Sequence, residues 1–463
     1  MISLLQTLCK PLFGAFEREE FKKFLRMGLT FTCIIGAYWT LRVLKNALFC
    51  SLVGGEYLPW AKTASIICLI PLVMLYTKLL DIFSREKMFY MLSTVYAVIT
   101  AIFALLLVSP IGIANAASCP RAGALFYATQ ALGFLWYVFV ESYGSLVIAL
   151  FWAIASDITM PDSAKKGFSL VVAIGQMGGI AGPYLLTRLP RFLGFSTSAI
   201  SVFSCTFFII ASIALLKNFF KVTPKNLLQS FHGKNEVEEE EEQEPGFFEG
   251  LVLLVKHRYL LSIFAILCFF EIIVTVFDFH FQTLAARVYS GTALAEFQGL
   301  YGTLVNVLTL VCLLCGIGNI TRLLGVGVSL MLVPLVFGFA VFGFTAFNSL
   351  TFLLALMVGS KAINYALNGP AIKQLYIPTT HDVRFKSQAW IETFGSRASK
   401  EAGSLFNMLL LPLQNSLGVV AGRARHVALS SYLGFSLVAL WFFIALFLGK
   451  TYKKAIDTNK VVC

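Results

Sequence analysis

Charge is scarce in this sequence. Only 13% of its 463 residues are Asp, Glu, Lys or Arg, against about a quarter in a soluble domain. A soluble protein of this size needs a polar surface, and this chain cannot supply one. Catalytic signatures are missing too. There is no G-x-x-x-x-G-K-[ST] phosphate loop, no H-E-x-x-H and no G-x-S-x-G. The ten cysteines include one C-x-x-C, Cys312-Leu313-Leu314-Cys315, inside an apolar run, and no Cys/His ligand spacing. Several (Cys33, Cys68, Cys205, Cys268, Cys312) fall inside apolar runs, where small buried apolar side chains are the expectation. No reaction, metal or cofactor is therefore anticipated. The stretch Met1 to Phe16 carries little positive charge and no convincing cleavage site, so the first apolar run is taken as the insertion signal.

What the sequence has instead is apolar length: 58% of residues are hydrophobic. The runs reach the roughly 20 residues that cross a bilayer as a helix. They are continuous, without the alternation of barrel strands, and only helices or closed barrels satisfy their backbone in lipid. The sequence predicts about twelve spans, near 27–49, 59–80, 87–110, 123–156, 166–187, 196–217, 257–280, 297–318, 322–346, 350–375, 388–413 and 427–449. The fourth is overlong and is expected to tilt or protrude.

The net charge of +12 sits mostly in short loops, as in Lys22, Lys23 and Arg26, Arg85 and Lys87, Lys165 and Lys166, and Lys453 and Lys454. That placement argues against nucleic-acid binding and fits the positive-inside rule, with both termini cytoplasmic. A long polar connection at 218–256 carries the acidic run Glu238 to Glu242 and reads as a solvated linker. It divides the chain into a segment 1–26, a six-helix half 27–217, the linker, a second half 257–449 and a tail 450–463. The expected class is an all-α polytopic membrane protein with two six-helix halves, like the major-facilitator plan, in which substrate sits between the halves. Gly175, Gly178, Gly179 and Gly182 in the fifth span would let helices approach closely.

A charge at the bilayer centre costs at least about 2.5–3.5 kcal/mol, so intramembrane charges are candidate sites. Arg42 and Lys45 share a helix face late in the first span; snorkelling to the outer interface is the alternative. Glu141 lies well inside the fourth span, with Ser145 and Trp152 near its face; an interhelical ion pair is its alternative. Glu271 and Asp278 are seven residues apart in the seventh span, followed by His280 and Gln282. Of the two acids, Asp278 is the better candidate and Glu271 the one expected to pair internally. Lys361, Asn364, Tyr365 and Asn368 form a polar stripe in the tenth span. In the eleventh, Arg397 and Glu401 are spaced for pairing at i, i+4, which would leave Lys400 unpaired among Ser399, Gly403 and Ser404. Arg42, Lys45, Lys361, Arg397 and Lys400 against Glu141 and Asp278 make a net basic set. An anionic small molecule follows, a polyphosphate or nucleotide before a carboxylate.

Two stretches carry a family resemblance. Glu141-Ser142-Tyr143-Gly144-Ser145-Leu146-Val147-Ile148-Ala149-Leu150-Phe151-Trp152 is close to E-x-x-G-S-V-x-x-S-L-x-F-W, and Gly395-Ser396-Arg397-Ala398-Ser399-Lys400-Glu401-Ala402-Gly403-Ser404 to G-S-R-x-G-K-S-G-G-S. With Leu41 to Lys45, Lys361 to Tyr365 and Tyr376-Ile377-Pro378, the chain resembles, over nearly its whole length, the ATP/ADP translocases of obligate intracellular bacteria and plastids. The resemblance implies twelve spans in a bacterial inner membrane. It also implies nucleotide transport, commonly ATP imported against ADP, sometimes proton-coupled uptake or NAD exchange. By the same match, Lys45, Glu141, Asp278 and Lys400 fall where that family's functional charges lie. The chain departs from the pattern at Val43, Asn46 and Gln282, at Asn368 to Gln374 (F-D-P-T-K-E in the family), and at Ser399 and Glu401. Several acids are lost, so the site is more basic than the family's. The expected function is nucleotide transport by alternating access. A carrier of another phosphorylated or organic anion, or a non-transporting membrane scaffold, are the alternatives.

Overall fold

The computed structural model describes residues 16–113, 123–159, 161–195, 197–224, 227–228, 252, 254–314, 320–347, 349–376, 378–379, 391, 395–458 and 462. The acidic run Glu238 to Glu242 and the side chain of Tyr365 lie outside them. All regular structure among the described residues is helical. The main helices are α1 (Arg18–Leu52), α2 (Leu58–Ile82), α3 (Arg85–Val108), α4 (Ala124–Asp157), α5 (Pro161–Leu186), α6 (Ala199–Val222), α7 (Arg258–Val288), α8 (Gly291–Leu314), α9 (Ile320–Ala346), α10 (Leu350–Ile363), α11 (Ser396–Asn407) and α12 (Val419–Thr458). Each overlaps one anticipated span. Among the described residues, nine helices are long and apolar enough to cross a membrane, and Leu170–Leu186 and Leu350–Ile363 are shorter apolar helices. The overlong fourth span is not exceptional: α1, α4, α7 and α12 run 35, 34, 31 and 40 residues, beyond a ~30 Å hydrocarbon layer at 1.5 Å per residue.

Local chemistry sets the boundaries and bends. Pro161 opens α5, where a missing N–H costs nothing. Gly418, at φ 85°, separates the short helix Leu410–Leu417 from α12, a conformation glycine adopts without Cβ strain. The tenth span is not one continuous α-helix. After Ile363 it passes through a π-helical turn, Asn364–Asn368, into Gly369–Leu375. Such turns are frequent at functional sites. Inside the apolar helices, hydroxyls bond their own backbone, as Thr40 does to the Gly36 carbonyl at 2.7 Å and Thr100 to that of Tyr96 at 2.6 Å. In a medium without water each polar group must find a partner this way.

The chain divides into two compact units. The first holds Met1–Gly55, Ala64–Lys234 and Ala286–Asn306; the second holds Glu56–Thr63, Asn235–Ala285 and Val307–Cys463. In the first, α1 packs on α4, α5 and α6, and α3 on α4 and α6. The glycines of α5 make the first contact possible. A Cβ on Gly178 would lie 2.0 Å from the Thr32 carbonyl oxygen, and one on Gly182 would lie 2.6 Å from that of Gly36. Thr32 donates to the Ile174 carbonyl across this seam at 3.0 Å. Phe31 stacks on Phe151 at 4.8 Å and meets Trp152 edge-on at 5.1 Å. Near the start of α1, buried Lys23 donates to the Ile158 carbonyl at 2.5 Å and so caps the end of α4. In the second unit, α9 packs on α10 and α12, with Trp441 fully buried against Phe270 and Phe337. Large apolar side chains such as Leu105, Phe339 and Phe443 point outward, a surface suited to lipid. Cys68 is exposed on α2, contrary to the expected burial; an outward apolar face satisfies a small thiol equally well in lipid.

Candidate functional site

The intramembrane charges are organised within each unit by separate ion pairs. In the first, Lys45 of α1 pairs with Glu141 of α4, and its ammonium lies 4.2 Å from the centroid of the Tyr137 ring. Tyr137 precedes Glu141 by one helical turn, so α4 presents a carboxylate and an aromatic face together. Lys45 is only 7% exposed, which removes snorkelling as its explanation. The side chain of Glu141 is 37% exposed. Arg42, one turn earlier, takes the Tyr38 hydroxyl as acceptor at 3.0 Å and lies 4.8 Å from the Trp39 ring. A guanidinium on aromatic faces is oriented without losing its charge. Ser145 turns back to the Glu141 carbonyl at 3.0 Å and supports the helix. Trp152 packs among Phe31, Phe151 and Phe168.

In the second unit, α7 serves two lysines. Asp278 meets Lys361 of α10 at 3.5 Å, both side chains 15% exposed. Glu271, two turns earlier, meets Lys400 of α11 at 3.4 Å and accepts a bond from Ser396 at 2.8 Å. Lys400 is therefore not uncompensated, contrary to expectation, and Glu271, expected to pair internally, is its counter-ion. Nor does Arg397 pair with Glu401: among the described residues no ion pair joins them, and Glu401 instead accepts a hydrogen bond from Thr63. The i, i+4 rule favours such pairs only weakly, by about 0.2–0.5 kcal/mol, so a tertiary partner easily overrides it. The side chain of Lys400 remains half exposed while that of Glu271 is 15% exposed. Asn364 and Asn368 lie in the π-helical turn and bond each other at 2.8 Å.

The sequence left Glu271, Ser396 and Tyr137 out of the candidate set. Each carried a usable signal: Glu271 is seven residues from Asp278, Ser396 four from Lys400, and Tyr137 four from Glu141. Chemically, all three lysines are cations held ready by a carboxylate. An ammonium has three donors, so each can donate to a phosphate oxygen beside its carboxylate or in exchange for it. Among the described residues no group of three or more His, Cys, Asp or Glu could hold a metal ion.

Known proteins align with this arrangement along nearly its whole length. ADP,ATP carrier protein 1 of Rickettsia bellii is 24% identical, covering 96% of each chain. ADP,ATP carrier protein 4 of Rickettsia conorii is 24% identical over 96% of this chain and 94% of its own. Among solved structures, an inward-facing bacterial homologue of the iron transporter ferroportin superposes with a TM-score of 0.62 at 13% identity, covering 93% of this chain and 98% of that one. The nucleoside transporter NupG gives 0.59 at 13% identity, covering 92% and 99%. These likenesses establish the fold, a multi-pass all-α architecture of the major-facilitator kind. The sequence matches the family described as TLC ATP/ADP transporter over residues 5–452, so with its lysine–carboxylate pairs set inside apolar helices this chain belongs to the TLC ATP/ADP transporter family.

Proposed function

We propose that this protein carries nucleotides across a bacterial inner membrane by alternating access, with both termini cytoplasmic and the halves 27–217 and 257–449 moving about the linker 218–256. Arg42, Lys45, Glu141, Asp278, Lys361, Asn364, Arg397 and Lys400 are the substrate contacts in this reading, with Glu271 added. The observation that carries it is the pairing of every lysine in the set with a carboxylate on another helix of its own unit. An empty carrier then avoids the cost of a bare intramembrane cation. A polyphosphate competes for the same ammonium groups with comparable charge-assisted bonds, so binding exchanges one anionic partner for another. The relatives named as ADP,ATP carriers support ADP and ATP as the first substrates to test.

Purified protein in liposomes, assayed for uptake of labelled ATP, ADP and other nucleotides, tests the reading. Folded protein that takes up no nucleotide would overturn it. The acids missing at Val43 and Asn46 favour a second reading, a carrier for a different phosphorylated or organic anion. Stabilisation in a thermal-shift screen by organic acids but not by nucleotides would select it. Lys400→Gln is expected to weaken ATP more than ADP, because the lost cation matters most to the ligand with the greater charge. Equal weakening of both in competition uptake would remove Lys400 from the site.

A further inference from the structure

Outside the lysine pairs, α7 and α12 bring together two imidazoles in the second unit. The rings of His280 and His426 lie 4.9 Å apart at 53°. Both are buried, His426 completely. Phe277, Phe279, Phe344 and Phe406 surround them.

The hydrogen bonds fix how the protons sit. Ser430 donates its hydroxyl to the His426 carbonyl at 2.8 Å. Its oxygen also lies 2.8 Å from His280 Nε2, which donates when Ser430 keeps that bond. His426 Nε2 stands 3.5 Å from the Phe406 carbonyl, which can only accept, so the hydrogen of His426 also sits on Nε2. That leaves a lone pair on His426 Nδ1. This atom is buried and has no hydrogen-bond partner. A buried polar atom left open calls for a functional explanation, and an imidazole lone pair is a proton acceptor.

The charged groups on the elements packed against the pair are already engaged or of opposite effect. On α7, Glu271 and Asp278 are committed to Lys400 and Lys361, and Arg287 lies near its end. α11 carries Arg397, Lys400 and Glu401, the last bonded to Thr63. α12 carries Arg423, in a 3.9 Å contact with Glu56, and Arg425. α9 presents Phe344. Two imidazolium ions this close would repel, so the pair has room for at most one added proton.

We propose that His280 and His426 form a proton-binding site, with His426 Nδ1 the accepting atom, and that its occupancy is linked to binding of the anionic substrate. The proposal rests on the nucleotide-transport reading. An added proton raises the positive charge of a unit whose lysines bind phosphate. It therefore favours the anion, and by reciprocity the bound anion favours the proton.

The test uses the full-length protein in two assays. In weakly buffered detergent solution, a pH dye reports proton uptake when ADP is added. In liposomes, labelled ADP uptake is compared at pH 6 and pH 8. The expected results are proton uptake on ADP addition and about 5-fold or greater pH dependence of transport, with both signals lost in His426→Gln. Should that variant fail to fold, Ser430→Ala, which removes the His280 partner, is expected to shift the pH profile instead. Nucleotide uptake that is independent of pH overturns the proton site and leaves the transport reading intact. An unchanged pH profile in His426→Gln also overturns it. If no nucleotide is taken up, the transport reading fails. The pH dependence of thermal stability in wild type against His426→Gln then decides the proton site, which falls if the two coincide.

Discussion

Gly178→Leu is expected to abolish recovery of folded protein, and Gly178→Ala to lower its thermal stability sharply. The α1–α5 seam is closed at backbone level. Even a methyl at Gly178 would sit 2.0 Å from the Thr32 carbonyl oxygen and 3.0 Å from the Gly36 nitrogen. Neither is a flexible side-chain tip, so the helices themselves must part. Overpacking a tight interface costs about 1–3 kcal/mol, and a clash against backbone belongs at the upper end. Separation would also break the Thr32 to Ile174 bond across the seam. Gly359→Ala, where an added Cβ meets nothing within 4 Å, is the control. Monodispersity in detergent and the melting temperature are the measurements. Equal behaviour of Gly178→Ala and Gly359→Ala would show that the seam tolerates expansion.

Lys45→Met is expected to reduce nucleotide uptake about 10- to 150-fold, as follows from losing about 1.5–3 kcal/mol of hydrogen bonding to a charged group. The single variant also leaves Glu141 without its cation. Breaking a fully buried pair costs about 3–5 kcal/mol; Glu141 is partly exposed, so the stability loss here should be smaller. The double variant Lys45→Met/Glu141→Gln separates two roles. A purely structural pair predicts that the double variant recovers both fold and uptake. A substrate-binding pair predicts recovery of the melting temperature without recovery of uptake. Recovered uptake would remove Lys45 and Glu141 from the site.

Much of this was legible in one sequence because membranes restrict the options. A medium without water allows only helices of sufficient length, so each span anticipated from hydropathy overlaps a helix. It also makes charge costly, which singled out Lys45, Glu141, Asp278, Lys361 and Lys400 before any coordinate was known. The pairing of those charges was not legible. Helical spacing identifies which residues share a face, and so Arg397 with Glu401 was the natural local pair. Which helix packs opposite that face depends on non-local contacts with no signature in a single chain. Glu271 joined Lys400 across 129 positions of sequence for that reason.

The π-helical turn at Asn364–Asn368 was likewise invisible, since a change of one residue in hydrogen-bond register leaves composition unaltered. The facing of His280 and His426 across α7 and α12 belongs to the same class. The scarcity of charge, by itself, determined that this chain is a bundle of helices in lipid and that its few buried charges matter. Only the tertiary structure decided that each lysine is held by a carboxylate. Desolvation sets the cost of a single residue from its depth alone, whereas Coulomb attraction depends on distances that only packing defines.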